Sequence, residues 1–142
     1  MTGFEGFSEQ TKKEPRQLSH PNGTEVLVSV LRASAEAEAK MFGGDSEKRL
    51  AMHEEGARRV YQRSAQRGEP SVPLGREPLP DGSTLISGAI KKQGLLQSGF
   101  FLVYMVVAPA ERVALVTVEG KGDSKEEYKR YRAIFETVKW RQ

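Results

Sequence analysis

The sequence predicts an α+β fold, an antiparallel β-sheet covered by a long middle helix and a C-terminal helix. Three observations support this. Residues 99–107 and 113–119 are two strand-like apolar runs separated by a turn segment, and residues 45–67 and 124–138 each show helical periodicity. Because an amphipathic helix must bury its apolar stripe, we expect both helices to form layers on the sheet.

The apolar segment from Ser98 to Gly120 contains the strongest local signal. Its uncharged part, residues 99–110, is shorter than the roughly 20 residues that a membrane-spanning helix needs. Valine and aromatic residues dominate the segment, and Pro109 favours a turn in its middle. We therefore predict a β-hairpin and no membrane span.

The first strand of this hairpin carries large apolar side chains on both of its faces. This pattern is typical of an interior strand that is covered on both sides. An alternative is that Phe100, Tyr104 and their neighbours line a ligand cavity or an exposed docking face, and an internal cavity beside Phe101, Val103 and Met105 would favour a small apolar ligand.

The remaining segments supply the rest of the sheet and its helices. Residues 24–32 alternate as a strand, residues 33–44 suit a helical turn or ordered loop, and residues 83–91 form a further strand. Four prolines between residues 68 and 82 exclude a helix or central strand there, and predict a connecting loop or an extended edge.

Both helices have recognisable ends. Asp45 or Ser46 is expected to cap the long helix and Gly68 to end it. Ser124 and Glu127 have the spacing of a capping box at the start of the C-terminal helix.

The chain of 142 residues is long enough for one core, and we predict a flexible N-terminal arm over residues 1–17 followed by a single domain over residues 18–142. The arm has no apolar run of the length that a signal peptide requires. Localisation stays open: periplasmic if an export signal has been removed, and otherwise cytoplasmic.

Residues with catalytic or metal-binding chemistry are scarce. The chain has no cysteine and two histidines, His20 and His53, and position 57 is Ala57 where a zinc-binding helix would need its second histidine. No nucleophile elbow or phosphate-binding glycine loop is present, and the GKGDS segment at 120–124 is more typical of a turn into a helix than of an anion site. We predict a protein that is not an enzyme, without catalytic residues, cofactor or metal.

The charge composition is compatible with an anionic partner but does not by itself indicate one. Twenty-two basic and 19 acidic residues give a net charge of +3 and a pI near 9.2. Two basic groups stand out. One is on the C-terminal helix, where tyrosines accompany Lys129, Arg130 and Arg132, and the other includes Arg59, Arg63 and Arg67 on the long helix, named here the arginine ridge.

Each basic group is either a solvated face, a surface for an acidic protein, or a nucleic-acid surface. The candidate partner-binding residues are the arginine ridge together with two charged residues of the proline-rich segment, Arg76 and Glu77.

The tail of the chain resembles the PsbP-like superfamily of α/β/α sandwiches, which includes the DcrB-like lipoproteins. The resemblance rests on the hairpin GFFLVYMVVAPAERVALVTVEGKG followed by the helix SKEEYKRYRAIFETVKW. It implies a small non-enzymatic bacterial protein that binds another protein, such as an inhibitor, an immunity protein or a chaperone-like adaptor. The alternatives are binding of a small apolar ligand between helix and sheet, and nucleic-acid binding through the basic helix faces.

Overall fold

The computed structural model describes residues 8–11, 16–32, 45–92, 98–108 and 112–137. The strands of these ranges are β1 Ser8–Thr11, β2 Arg16–Ser19, β3 Glu25–Arg32, β4 Gly68–Pro78, β5 Thr84–Lys92, β6 Gly99–Val107 and β7 Arg112–Lys121. The helices are α1 Ser46–Ala65 and α2 Ser124–Ile134, and a 3-10 turn, Phe135–Thr137, follows α2.

The seven strands of the described ranges form one antiparallel sheet in the order β1-β2-β3-β7-β6-β5-β4. The predicted hairpin is confirmed as β6 and β7, in which Val103 lies opposite Thr117. Strand β6 lies inside the sheet, between β7 and β5.

The two faces of β6 pack against different helices, as alternation along a strand requires. Phe100, Leu102, Tyr104 and Val106 share a core cluster with Tyr131 and Phe135 at the C-terminal end of the chain. On the other face, Met105 and Val107 pack with Ala57 of α1, and Val103 packs with Tyr61. The predicted fold class is therefore confirmed, with α1 on one face of the sheet and α2 on the other.

Helix α1 begins where the sequence predicts. Asp45 is its N-cap, and the carboxylate Oδ1 accepts hydrogen bonds from the amides of Glu47 and Lys48 at 3.0 and 3.2 Å. The other end differs from the prediction, because the cap residue is Gln66 and Gly68 already belongs to β4.

The predicted capping box of α2 is wrong by one residue. The N-cap is Asp123, whose Oδ1 accepts from the amides of Lys125 and Glu126 at 2.8 and 3.2 Å, and Ser124 is the first helical residue. A carboxylate at this position satisfies the free amides and also interacts favourably with the helix dipole, which a serine cannot do.

The proline-rich segment is an edge strand, the second of the two predicted alternatives. Among the described strands β4 pairs with β5 alone, and its register shifts between Pro70 and Gly75. An edge strand tolerates proline because only one side of its backbone joins the ladder.

The predicted N-terminal arm needs correction in its described part. Residues 8–11 form β1, and β2, which begins at Arg16, pairs with β3 and packs Leu18 against the core. The predicted single domain over residues 18–142 stays a prediction. The helical turn or ordered loop predicted at residues 33–44 and the predicted end of the C-terminal helix at residue 138 lie outside the described residues.

Candidate functional site

The arginine ridge lies on the exposed side of α1 and on the turn that follows it. The Arg59 side chain is 75% exposed, and its Nε lies 3.9 Å from Oε1 of Glu55. Arg63 and Arg67 are also exposed, and within the described ranges neither approaches a carboxylate to 4 Å. Their positive charges are therefore directed at solvent.

Arg76, by contrast, is bound within the protein. Its Nη1 donates to Oε1 of Glu47 and its Nη2 to Oε2 of Glu54, both at 2.8 Å. These hydrogen bonds, Glu54 first, raise the already high pKa of Arg76, while the guanidinium lowers the pKa of Glu54 below its usual value. These two ion pairs join edge strand β4 to α1.

Glu77 is bound in the same way on the opposite face. Nε and Nη2 of Arg132 donate to its two carboxylate oxygens at 2.5 and 2.7 Å. This bidentate hydrogen bonding by Arg132 lowers the pKa of Glu77.

Adjacent strand residues point to opposite faces of a sheet, so Arg76 and Glu77 attach β4 to α1 and α2 respectively. The charges of both residues are already compensated. We therefore restrict the candidate surface to the arginine ridge, and the proposed partner contacts of Arg76 and Glu77 stay predictions.

Sequence reasoning missed two further exposed residues. Leu27 on β3 and Met52 on α1 are the large apolar side chains that are exposed in the described chain, at 41% and 40%. The available signals were weak: Leu27 lies between Val26 and Val28 in a strand, and Met52 lies off the apolar stripe of α1.

The basic group on α2 is divided by the fold. Arg132 is held by Glu77, and the neighbouring tyrosines are used in packing: Tyr131 is buried, and the Tyr128 hydroxyl lies 2.7 Å from Ser87 Oγ. Lys129 and Arg130 stay exposed. Aromatic faces are therefore not presented beside these cations for stacking on bases.

The GKGDS segment does not form an open anion cradle. Gly122 has φ of +138° and its amide donates to Ser98 O, while the Asp123 carboxylate occupies the first amides of α2. The prediction of a turn into a helix is confirmed.

Among the described residues, no group of three histidine, cysteine, aspartate or glutamate side chains could hold a metal ion. His20 belongs to the turn before β3, where its Nδ1 accepts from the Asn22 amide at 3.1 Å, and His53 lies half-buried on α1.

The face of β6 that was an alternative ligand site packs against α1. Tyr61 lies over this face so closely that a Cβ added to Gly88 would be 2.8 Å from its ring carbon Cε2. The Tyr61 hydroxyl donates to the carbonyl of Val72 at 3.0 Å. Helix packing thus accounts for Val103 and Met105 on this face.

Comparisons with known proteins give a distant structural likeness. Neither a protein-family model nor a curated protein matches the sequence. The chain is similar to the Ran-binding protein Mog1p of Saccharomyces cerevisiae, with 10% identity, a TM-score of 0.46, and coverage of 91% of this chain and 74% of the other.

It is similar also to a mutant of the protein Mog1, with 10% identity, a TM-score of 0.47, and coverage of 92% of this chain and 80% of the other. At such identities and TM-scores a likeness does not carry a binding partner from one protein to another. The resemblance to PsbP-like proteins stays a prediction. Neither described helix has the combination of length and apolarity that crossing a membrane requires.

Proposed function

We propose that this protein is a non-enzymatic protein-binding domain that receives an acidic segment of another protein on the arginine ridge. The observation that carries the proposal is the contrast among its arginines. Those of β4 and α2, Arg76 and Arg132, are neutralised by carboxylates within the fold, whereas the ridge presents its charge to solvent.

An exposed row of cations on a helix suits an acidic partner because the helix fixes the positions of the cations before binding. Such a row raises the rate of encounter with negative partners and fixes their register. Residues spaced by four along α1 lie on one side of the helix, so Arg59 and Arg63 present one surface, and Arg67 follows in the exposed turn at the end of α1. An inhibitor, an immunity protein or a chaperone-like adaptor would use such a surface.

A protein partner fits this surface better than nucleic acid does. Glu55 lies beside Arg59 and Arg58, at 50% exposure, and would face any phosphate backbone bound there. Binding of duplex DNA needs a larger uninterrupted basic face and is lost steeply as salt is raised.

The experiment is capture of the tagged protein with its partners from native cells, followed by reconstitution with the purified partner. The test variant carries Arg59→Glu, Arg63→Glu and Arg67→Glu. The matched control carries the same change of charge at exposed lysines of β7 and α2, Lys121→Glu, Lys125→Glu and Lys129→Glu.

We expect the ridge variant to lose the partner and the control variant to keep it. Equal loss in both variants would mean that net charge alone governs binding, and recovery of nucleic acid in place of a protein would contradict the proposal.

A further inference from the structure

Strand β4 is the outer strand of the sheet at the end opposite β1, and much of it is exposed. It spans 11 residues, and among the described strands β5 is its one neighbour. Its three prolines, Pro70, Pro73 and Pro78, are all open to solvent. A long exposed edge strand presents unpaired backbone groups to which a further strand can be added. The backbone of β4 therefore decides whether this edge accepts another chain.

Charge does little to protect the second half of β4. Proteins keep strand edges apart with charged side chains, with proline or with bulges. The charged residues here are Arg76 and Glu77, and each is already bound by an oppositely charged residue of a helix, Glu54 and Arg132 respectively. The prolines and the bulges of β4 are thus the features that can prevent pairing.

The register of β4 against β5 shows which way two of the prolines face. Pro70 lies opposite Ile90, and Pro78 lies opposite Thr84. Ile90 and Thr84 are six residues apart on β5, which pairs residue for residue with β6, so both proline pairs are of the same kind in the alternation of hydrogen-bonded and non-hydrogen-bonded pairs. A proline has no N–H group to give to a hydrogen-bonded pair. The assignment that keeps the ladder intact turns both prolines outward, away from β5.

Pro73 leaves the ladder by a different route. It comes three residues after Pro70 and five before Pro78, so in a regular strand it would face β5 and remove a hydrogen bond. The register shifts by one residue between Pro70 and Val72, and again between Val72 and Gly75. Pro73 lies within the second shift and has no opposite residue in the register of the described strands.

Few backbone donors are left on the outer side of β4. The same alternation turns the N–H groups of Gly68 and Arg76 outward. Because Gly68 is the first residue of the strand, Arg76 is the one outward donor of the regular described pairs between Pro70 and Pro78. An added antiparallel strand would need a donor at every second residue of β4. The edge is long, but it offers too few donors for a ladder.

We propose that Pro70, Pro73 and Pro78 close this edge of the sheet to a second copy of the chain. Without them, two copies could pair their β4 strands antiparallel about a two-fold axis, since such a contact uses the same surface on both copies. Every copy carries the same 11-residue edge, so this is the strand that β4 always has within reach. The inference concerns a surface other than the arginine ridge and does not depend on the proposed function.

The test restores the missing donors. The variant Pro70→Thr, Pro73→Thr, Pro78→Thr replaces each proline by a residue that favours strands and has an N–H group. The matched control, Pro21→Thr with Pro80→Thr, makes the same replacement at two exposed prolines outside β4.

Two measurements are made on each protein. Sedimentation velocity over a range of concentrations gives the strength of self-association. Amide hydrogen exchange, followed by NMR, reports on Arg76, whose N–H faces outward, and on Glu77, whose N–H faces β5.

We expect the triple variant to self-associate at least about tenfold more tightly than the wild-type chain or the control, because a two-fold pair regains several hydrogen bonds that each contribute a factor of about two to ten. In the wild-type chain the Arg76 amide should exchange rapidly at every concentration, while the Glu77 amide is protected. In the associated variant, exchange of the Arg76 amide should slow by at least about tenfold.

Three results would overturn the proposal. Protection of the Arg76 amide in dilute wild-type protein would show that this N–H group does not face outward. Protection that rises with the concentration of the wild-type chain would show that a second copy already pairs with β4. Association of the triple variant no tighter than that of the wild-type chain or the control would show that the prolines do not close the edge. The first two results need only the wild-type chain, so they test the proposal even if the triple variant does not fold.

Discussion

Helices α1 and α2 cover opposite faces of one sheet, but different contacts hold them. Under α2, the ring of Tyr104 stacks on Phe135 and Tyr128, with centroids 4.7 and 5.6 Å apart, and the Tyr104 hydroxyl donates to the Tyr128 carbonyl at 2.7 Å. Burial raises the pKa of Tyr104, so this hydroxyl stays a neutral donor. Under α1, the cluster around Ala57 is mostly aliphatic.

The two faces also differ in how completely they are covered. On the α2 side the core cluster extends to Val26 on β3, which is fully buried. On the α1 side, Leu27 of the same strand is 41% exposed. The comparison shows that the core under α2 extends as far as β3, whereas on the α1 side Leu27 of that strand stays exposed.

The largest expected effect is on the α2 face. Phe135→Ala removes a fully buried ring from the stack on Tyr104, and should lower the free energy of unfolding by about 3–5 kcal/mol. Met52→Ala, the matched truncation of an exposed apolar residue on α1, should change it by less than about 0.5 kcal/mol. Urea unfolding measures the free energy of unfolding of both variants. Similar losses would show that these two side chains contribute equally to stability.

The second prediction compares two glycines on the α1 side. Gly88→Ala places a Cβ 2.8 Å from the Tyr61 ring and 3.1 Å from the backbone of Val72 and Leu74, so stability should fall by about 1–3 kcal/mol. Gly56→Ala meets nothing within 4 Å and should raise stability by about 0.5–1 kcal/mol. Thermal unfolding checks the signs, and a neutral Gly88→Ala would mean that α1 packs more loosely than described.

The smallest effect concerns the ion pairs that attach β4 to both helices. The pKa of Glu77 and that of Glu54 are lower in the folded state than their ordinary value of 4.5. Their contribution to stability is therefore present above about pH 4.5 and is lost as the pH falls through the folded-state pKa values.

Glu77→Gln should remove up to about 1 kcal/mol at pH 7, because the pair is partly screened by solvent, and should flatten the acid limb of the stability curve. Arg132→Gln should act similarly, and the double variant should lose less than the sum of the two. Urea titrations between pH 3 and 7 measure this. Full additivity would show that the pair is not coupled.

Much of the fold could be predicted from local patterns. The alternation in β3, the apolar hairpin of β6 and β7, and the periodicity of α1 each follow from residues close in sequence, and each is confirmed. The predictions were wrong or left open where the local sequence suits two structures equally well. Asp123 and Ser124 are both good caps, and the prolines of β4 suit an edge strand as well as a loop.

The candidate site was only partly predictable. The spacing of Arg59, Arg63 and Arg67 placed them together on one helix, and the structure agrees for Arg59 and Arg63 but puts Arg67 in the turn after the helix ends at Ala65. The spacing could not show that Arg76 is neutralised, since Glu47 and Glu54 lie 29 and 22 residues away in sequence. Nor could it show that Leu27 stays exposed while Val26 beside it is buried, because that depends on which elements cover each face of β3.

The sequence by itself determined which segments are strands and helices, because side-chain periodicity and caps act over a few residues. Only the tertiary structure decided which charges stay exposed to solvent. Whether an arginine is neutralised depends on a carboxylate that folding brings within about 3–4 Å. Whether an apolar side chain is buried depends likewise on which elements folding places over it.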